Sequence, residues 1–497
     1  MSVIVYFIFA GYTIALLLIT VYCVLQLNLL FKYKQFHRRN NLASGSSSHE
    51  LSADEEFPFV TIQLPIFNEM YVVERLVDNI MQLDYPKDRF EVHILDDSTD
   101  ETVDITRRKV VEYQQKGFQI EQVQRNDRTG FKAGALKAAT PKAKGDFIAI
   151  FDADFLPHPD FLKNTIGHFK DEKIAVVQTR WEHLNESYSL ITRLQALQLN
   201  VHFRIEQQGR HGGNYLCQFN GTAGVWRRSA IDDAGGWEAD TLTEDLDLSI
   251  RAQLKGWKIV YLEEVGSPAE LPAEMNGLKS QQFRWMKGGA ETARKMLPTI
   301  WKSHLTFGQK FHVTLQLLGS SIFICVFLMG VLSVPALFLL GHWQFGTDFM
   351  TWAVLGLIAF LAIQYTANVE VPAKEGGYWK KLIKFVVLFP LFLAISMGLS
   401  LHNSIAVIQG WLGKQSAFVR TPKFNIKGLS DTFRNQNYLA SKITWTTFFE
   451  GVLALYFLAA VVFGYQMENM QFLLLHIMLA LGYGYIFYYT LRHMRVK

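Results

Sequence analysis

Cysteine, proline and charge are all scarce in this chain. Three cysteines (Cys23, Cys217, Cys325) and 13 prolines are spread over 497 residues. The cysteines form no C-x-x-C and no metal-ligand spacing, which excludes a disulfide scaffold. Charged residues make up 19% of the chain, against roughly 25% in ordinary soluble domains. Hydrophobic residues make up 49% and aromatics 14%. That excess sits in long uncharged runs, so the chain reads as an integral membrane protein with one soluble block. Basic residues exceed acidic ones by only four, an imbalance too small to indicate a nucleic-acid partner.

The first apolar run covers residues 3–31, enough for one crossing. A signal peptide is the alternative, but the run is too long and no small-residue cleavage site follows. Lys32, Lys34, Arg38 and Arg39 come next and place the following chain on the cytoplasmic side. Residues 32–56 read as a cytoplasmic linker, Ser-rich and acidic from 45 onward. Residues 57–297 alternate short β-branched runs (60–64, 91–95, 147–151, 175–178) with amphipathic stretches (69–82, 102–117). Strands alternating with helices predict a mostly parallel sheet in an α/β domain.

Apolar runs return at 313–340, 350–367, 383–408, 444–465 and 472–491. The loop 409–443 carries six Lys/Arg and is predicted to be cytoplasmic. Parity then leaves one run too many. The run 383–408 is flanked by Lys380, Lys381 and Lys384, contains Pro390 and turns amphipathic, so it is read as interfacial. The result is five crossings with the C-terminus inside, a six-helix count of different parity being the alternative. Residues 298–443 form a membrane region with two spanning helices, the interfacial helix and a loop; residues 444–497 supply two more spanning helices.

Four acidic or basic–aromatic signals carry chemistry. Asp96-Asp97-Ser98-Thr99-Asp100 ends the strand 91–95, where α/β sheets bind ligands; solvated helix-capping acids are the alternative. Asp152 and Asp154 end the apolar strand before them, and such a pair can hold Mg²⁺ or Mn²⁺ and share it with substrate phosphates. Thr243-Glu244-Asp245 opens a helix, so its acids also fit a capped first turn. Gln281, Arg284 and Trp285 in Q-x-x-R-W offer a phosphate-pairing fork and a flat apolar face, or an interfacial anchor. In Phe219-Asn220-Gly221 the glycine points to close backbone approach to a ligand.

In this order, D-D, D-x-D, T-E-D and Q-x-x-R-W resemble the processive family 2 glycosyltransferases, the cellulose, chitin and hyaluronan synthases. Further segments narrow the resemblance: Leu95–Asp100, Lys132-Ala133-Gly134-Ala135-Leu136, Val177-Gln178-Thr179-Arg180-Trp181, 219–227 and 281–285 look like the plant cellulose-synthase-like A and C groups. Phe418-Val419-Arg420-Thr421-Pro422-Lys423 is similar to the F-x-V-T-x-K gating loop of cellulose synthases, with Arg420 in place of Val.

The resemblance implies a GT-A-type α/β domain between transmembrane helices. It implies inverting transfer of a hexose from a nucleotide sugar, UDP-glucose or GDP-mannose, to a growing β-linked polysaccharide, with translocation. Asp97, supported by Asp96, would contact the nucleoside. Asp152 and Asp154 would hold the metal, Asp152 lying on the nucleotide-sugar side. Lys132 and Arg284 would neutralise phosphate, and Asp245 would be the general base. Trp285, Gln281, Asn220, Gly221, Glu244 and Trp181 would form the acceptor end, although both tryptophans also fit core packing. Phe418, Thr421 and Lys423 would gate. A single-sugar transferase acting on a lipid acceptor, and a non-enzymatic membrane scaffold, are the competing classes. A bacterial inner membrane, with the catalytic domain cytoplasmic, is the expected location, with a Golgi membrane as the alternative. A regulatory or export partner would be a separate chain.

Overall fold

The computed structural model describes residues 2–42, 57–339, 351–374, 376–416, 419–428, 431–433, 438–439 and 443–494. At the centre of the soluble block lies a seven-stranded sheet in the order β3-β2-β1-β4-β6-β5-β7. The strands are β1 (Val60–Ile66), β2 (Phe90–Asp96), β3 (Ile120–Val123), β4 (Phe147–Ile150), β5 (Ile174–His183), β6 (Gly224–Arg227) and β7 (Lys258–Ala269). β1 pairs in parallel with both β2 and β4, and β2 with β3. β6 alone runs antiparallel, between β4 and β5.

Every residue of β2 and β4 is buried, as a strand covered on both faces requires. Alternation divides the core. Phe147, Ala149 and Phe151 join one cluster with Ile62 and Val92. Ile148 and Ile150 join Leu136, Trp226 and Trp237 on the other face. β1 lies between β2 and β4, so the strand order reverses direction there. The carboxyl ends of β1, β2 and β4 therefore open on one crevice, at a topological switch point.

This is the expected α/β fold between apolar helices, with a mostly parallel sheet. Several details differ from the reading of the sequence, which did not include β3 or β6 among its strands. The first helix runs unbroken from Ser2 to Leu42, so residues 32–42 are helix rather than linker. Lys34 pairs with Glu370 at 3.0 Å and His37 with Glu263 at 3.1 Å, and these contacts hold the extension against the rest of the protein. Residues 43–56 of the linker lie outside the described residues. β7, at 12 residues, also escaped prediction, because Glu263 and Glu264 break its apolar pattern.

Among the described residues six helices are long and apolar enough to cross a membrane: Val3–Asn40, Phe307–Leu339, Trp352–Ala373, Tyr378–Gly398, Trp445–Gln466 and Leu473–Arg492. The run read as one interfacial element is two helices, Tyr378–Gly398 and Ser400–Trp411. The first buries Phe385, Leu388, Phe389 and Phe392 among Ile191, Leu194 and Leu197 of the soluble block and Met275 and Leu278 of the Met275–Lys302 helix. Its far end crosses Leu473–Arg492 at Gly398 and Gly482, where the backbones touch. A Cβ on Gly482 would collide with the Ala394 carbonyl. Gly482→Ala is therefore expected to lower the thermal-unfolding midpoint of the full-length protein, at a cost of about 1–3 kcal/mol. Gly484→Ala, which meets nothing within 4 Å, should leave the midpoint unchanged; equal midpoints for both variants would refute the close crossing.

Candidate active site

A cavity of about 230 Å³ opens where β1, β2 and β4 end. Its wall includes Asp97, Lys132, Asp152, Asp154, Trp181, Asn220, Gly221, Glu244, Asp245, Gln281, Arg284, Trp285, Thr421 and Lys423. All four sequence signals thus meet in one space. Among the described residues Asp96 does not. Phe418 lies outside the described residues. Asp96 is buried and does not line the cavity. Its carboxylate accepts from the Ser98 amide at 2.9 Å and from Gln122 Nε2 at 2.7 Å. Asp96 thus holds the turn that presents Asp97.

Asp97 itself is gripped from behind by Arg125, whose Nε donates to Oδ1 at 3.0 Å and whose Nη2 donates to Oδ2. Such a bidentate fork fixes a carboxylate plane. Arg125, Arg128 and Glu69 were not singled out in the sequence. Arg128 lies over the Phe67 ring at 3.2 Å and lines the cavity. Glu69 follows the end of β1 and pairs with Arg420 at 3.0 Å, and burial pushes its carboxyl up to about 8. An acid three residues past a buried parallel strand was the available signal.

The β4 end is built tightly. The Asp152 amide donates to Thr222 Oγ1 at 2.9 Å, and the Ala223 amide to the Ile150 carbonyl at 2.8 Å. Lys132 Nζ bridges Asp152 Oδ1, at 2.5 Å, and the Gly221 carbonyl, at 2.8 Å. Burial pulls the Lys132 ammonium down, but Asp152 and Glu244 beside it hold it above its ordinary value. Lys423 Nζ meets Asp154 Oδ2 at 2.6 Å and the Glu270 carbonyl at 2.8 Å. One oxygen of each acid thus faces a lysine. The donor set, two carboxylates on one phosphate-sized cleft lined with cations, fits a hard divalent ion shared with a diphosphate. A second acidic cluster, Glu238, Asp240 and Asp247, is a different case. Lys295 sits among its three carboxylates at 2.6, 2.9 and 3.0 Å, so it is an ion-pair cluster outside the cavity wall.

Asp245 occupies the first turn of the Glu244–Leu254 helix. Thr243 does not cap that helix; its hydroxyl pairs with Thr292 at 3.0 Å. The acids at 244 and 245 are therefore not the charges of a capped first turn but face the cavity. Burial first, and Glu244 second, push the Asp245 carboxyl up to about 7. Burial also raises Glu244. Gly221 has φ +80°, and a Cβ there would lie 3.0 Å from Asp245 Oδ2 and 3.5 Å from Lys132 Nζ. The close approach read from the sequence is thus to the acid and the lysine.

Arg284 holds the loop 419–423 across the rim: Nη1 donates to the Val419 carbonyl at 2.5 Å and Nη2 to Thr421 Oγ1 at 2.9 Å. Burial pushes the guanidinium down to about 10. Arg420, the departure from the gating pattern, pairs with Glu69 and stacks 4.0 Å over Tyr438. At the other end Trp181 stacks on Phe203 at 4.8 Å and packs with Trp285 in one apolar cluster. Both rings still line the cavity, so packing and exposure to the cleft coexist. Asn220 Nδ2 is buried without a partner nearby.

A Gly221→Ala variant is expected to lower turnover on the order of tenfold or more by displacing Asp245, with the fold retained. Circular dichroism and initial rates check this; an unchanged rate would show that the approach does not matter.

Comparisons place this site. Residues 58–288 match the family model described as glycosyltransferase like family 2. Glucomannan 4-beta-mannosyltransferase 1 of Oryza sativa subsp. japonica is 43% identical over 263 residues, 52% of this chain and 50% of that protein. Glucomannan 4-beta-mannosyltransferase 9 of Arabidopsis thaliana is 38% identical over 322 residues, 61% of this chain and 58% of that protein. The chain thus spans about half the length of the curated relatives it matches. Among solved structures, the mannosyltransferase PcManGT from Pyrobaculum calidifontis, in complex with GDP-Man and Mn²⁺, matches with TM-score 0.46 at 19% identity, covering 70% of this chain and 98% of that one. The acidic strand ends, the Thr-Glu-Asp helix and the Arg284 rim all fall within residues 58–288, the segment that matches the glycosyltransferase like family 2 model.

Proposed function

We propose that the protein is a membrane-embedded inverting hexosyltransferase that extends a β-linked, β-1,4 polysaccharide from a nucleotide sugar and passes it through its membrane helices. The observation that carries this reading is the single cavity joining Asp97, Asp152, Asp154, Asp245 and Arg284. Of the two candidate donors, GDP-mannose is favoured over UDP-glucose by the names of the plant relatives.

The nucleoside end of the donor lies along Asp97, held in plane by Arg125. Asp152 and Asp154 would hold Mg²⁺ or Mn²⁺, which supplies Lewis-acid stabilisation of the departing diphosphate. Lys132 and Arg284 add fixed positive charge where negative charge develops. Asp245 takes the proton from the acceptor hydroxyl as that oxygen attacks the anomeric carbon from the face opposite the leaving group. One displacement inverts the centre, so an α-linked donor gives a β-linked product. A base pushed up to about 7 is well matched to neutral pH. Trp285, Trp181, Gln281, Glu244 and Asn220 border the acceptor. Thr421 and Lys423 close the rim, with Lys423 bonded to Asp154.

In this proposal the α/β block faces the cytoplasm and five helices cross. Tyr378–Gly398 lies along the interface in this reading, with Lys384 bonded to Glu186 of the soluble block. The plant relatives lend no support to a bacterial inner membrane, and an endomembrane such as the Golgi is the location proposed here.

Asp245→Asn is expected to lower turnover by about 10²–10⁴-fold while nucleotide binding persists. Loss of less than tenfold would remove Asp245 as the base. For the wild type, kcat/KM should fall as pH drops below about 7 and the carboxyl is protonated, and level off above it; a flat profile from pH 5 to 8 would contradict the assignment.

A further inference from the structure

A chain of polar side chains runs from the Phe307–Leu318 helix to the wall of the cavity that holds Asp245, and the proposed mechanism uses only its last member. Gln316, on that helix, donates from Nε2 to Gln218 Oε1 at 2.6 Å. Gln218 Nε2 donates in turn to Asn220 Oδ1 at 2.8 Å. A second arm reaches the same oxygen, with His202 Nε2 at 2.9 Å. An amide oxygen only accepts, so that ring nitrogen carries its hydrogen. Behind the ring, His202 Nδ1 lies 3.1 Å from Glu206 Oε2, which also accepts from Arg210 Nη2 at 3.1 Å. Burial pushes the Glu206 carboxyl up, but His202 and Arg210 beside it hold it down at about 2, so a carboxylate backs the imidazole.

The local backbone serves this arrangement. Val201–Glu206 is a π-helical turn between the Leu190–Asn200 and Gln207–Gly212 helices, a wide turn met frequently at functional sites. The Asn220 backbone amide donates to Gln178 Oε1 at 2.9 Å, and Gln178 is fully buried. Backbone and side-chain oxygen of Asn220 are therefore both held. Its Nδ2 is left buried with no partner. Buried donors are nearly always paired, and this one belongs to a residue that borders the cavity. At the next residue, Gly221, a Cβ would lie 3.0 Å from Asp245 Oδ2. The orphan donor is thus one residue from the closest approach to the proposed base.

We propose that His202 and Gln218 are positioning residues that hold the Asn220 amide, so that Nδ2 donates to a hydroxyl of the acceptor sugar and orients that sugar towards Asp245. Glu206 fixes the His202 ring. The proposal rests on the glycosyl-transfer reading above and adds to it the means by which the acceptor is aligned.

The test uses reconstituted full-length protein with labelled GDP-mannose and, separately, labelled UDP-glucose. It compares two fates of the label: incorporation into polymer, where a sugar hydroxyl attacks, and release as free sugar, where water attacks in its place. Both fates free the nucleoside diphosphate. His202→Leu is expected to lower incorporation roughly tenfold, the effect of one hydrogen bond, with hydrolysis and nucleotide affinity unchanged. His202→Gln, whose amide nitrogen can reach the same oxygen, should recover most of the incorporation. Should His202→Leu fail to fold, Asn220→Ala removes the donor itself and should give the same selective loss. If the wild type incorporates sugar and the variants keep its ratio of incorporation to hydrolysis, or lose both together, the proposal is overturned and the function stands. If the wild type incorporates no sugar from either donor, the glycosyl-transfer reading falls and the proposal with it.

Discussion

The structure depends on one constraint: charges of both signs are gathered at the carboxyl ends of three parallel strands and kept out of bulk water. A buried carboxylate is expensive unless paired. Here each is paired, Asp97 with Arg125, Asp152 with Lys132, Asp154 with Lys423 and Glu69 with Arg420. Asp245 is the exception. Its neighbour is another acid, Glu244, and its Oδ1 accepts the Leu246 amide at 2.8 Å. Burial and the neighbouring acid raise the proton affinity of Asp245 towards neutrality, the property a base requires, and burial raises Glu244 and Glu69 as well. The rest of the site serves to tolerate that arrangement.

The same pairs tie the membrane region to the chemistry. Arg284, on the last helix of the α/β block, bonds the loop, and Lys423 reaches Asp154 from that loop, so the cleft is completed by chain that follows the block. The Met275–Lys302 helix that carries Arg284 is anchored in turn by Lys279, which meets Glu450 of the Trp445–Gln466 helix at 2.8 Å with both side chains buried. An ion pair at that depth is costly to break and fixes the rim relative to the spanning helices.

Much of this was legible in the sequence for a physical reason. Strand ends in a parallel sheet are marked by an apolar run that stops at an acid, and β2 and β4 show that pattern at Asp96-Asp97 and Asp152. What periodicity could not tell is which of two adjacent acids turns outward. Asp96 belongs to the pleat and faces Gln122, whereas Asp97 faces the cleft. Thr243 has the residue type of a cap but not its geometry, because the Gly288 backbone packs against it. Glu69, Arg125 and Arg128 escaped notice because their role depends on pairings 28 to 351 residues away in the chain. The Tyr378–Gly398 helix shows the limit of hydropathy: it is apolar enough to span, and its buried face is shared between Ile191 and Leu194 of the soluble block and Ile486 of the Leu473–Arg492 helix.

The most direct measurement gives the reconstituted full-length protein labelled GDP-mannose and, separately, labelled UDP-glucose, and digests the product with linkage-specific hydrolases. The account predicts a high-molecular-weight product, cleaved by a β-1,4-mannan hydrolase and resistant to α-mannosidase. A single labelled glycolipid, or an α-linked product, would contradict it.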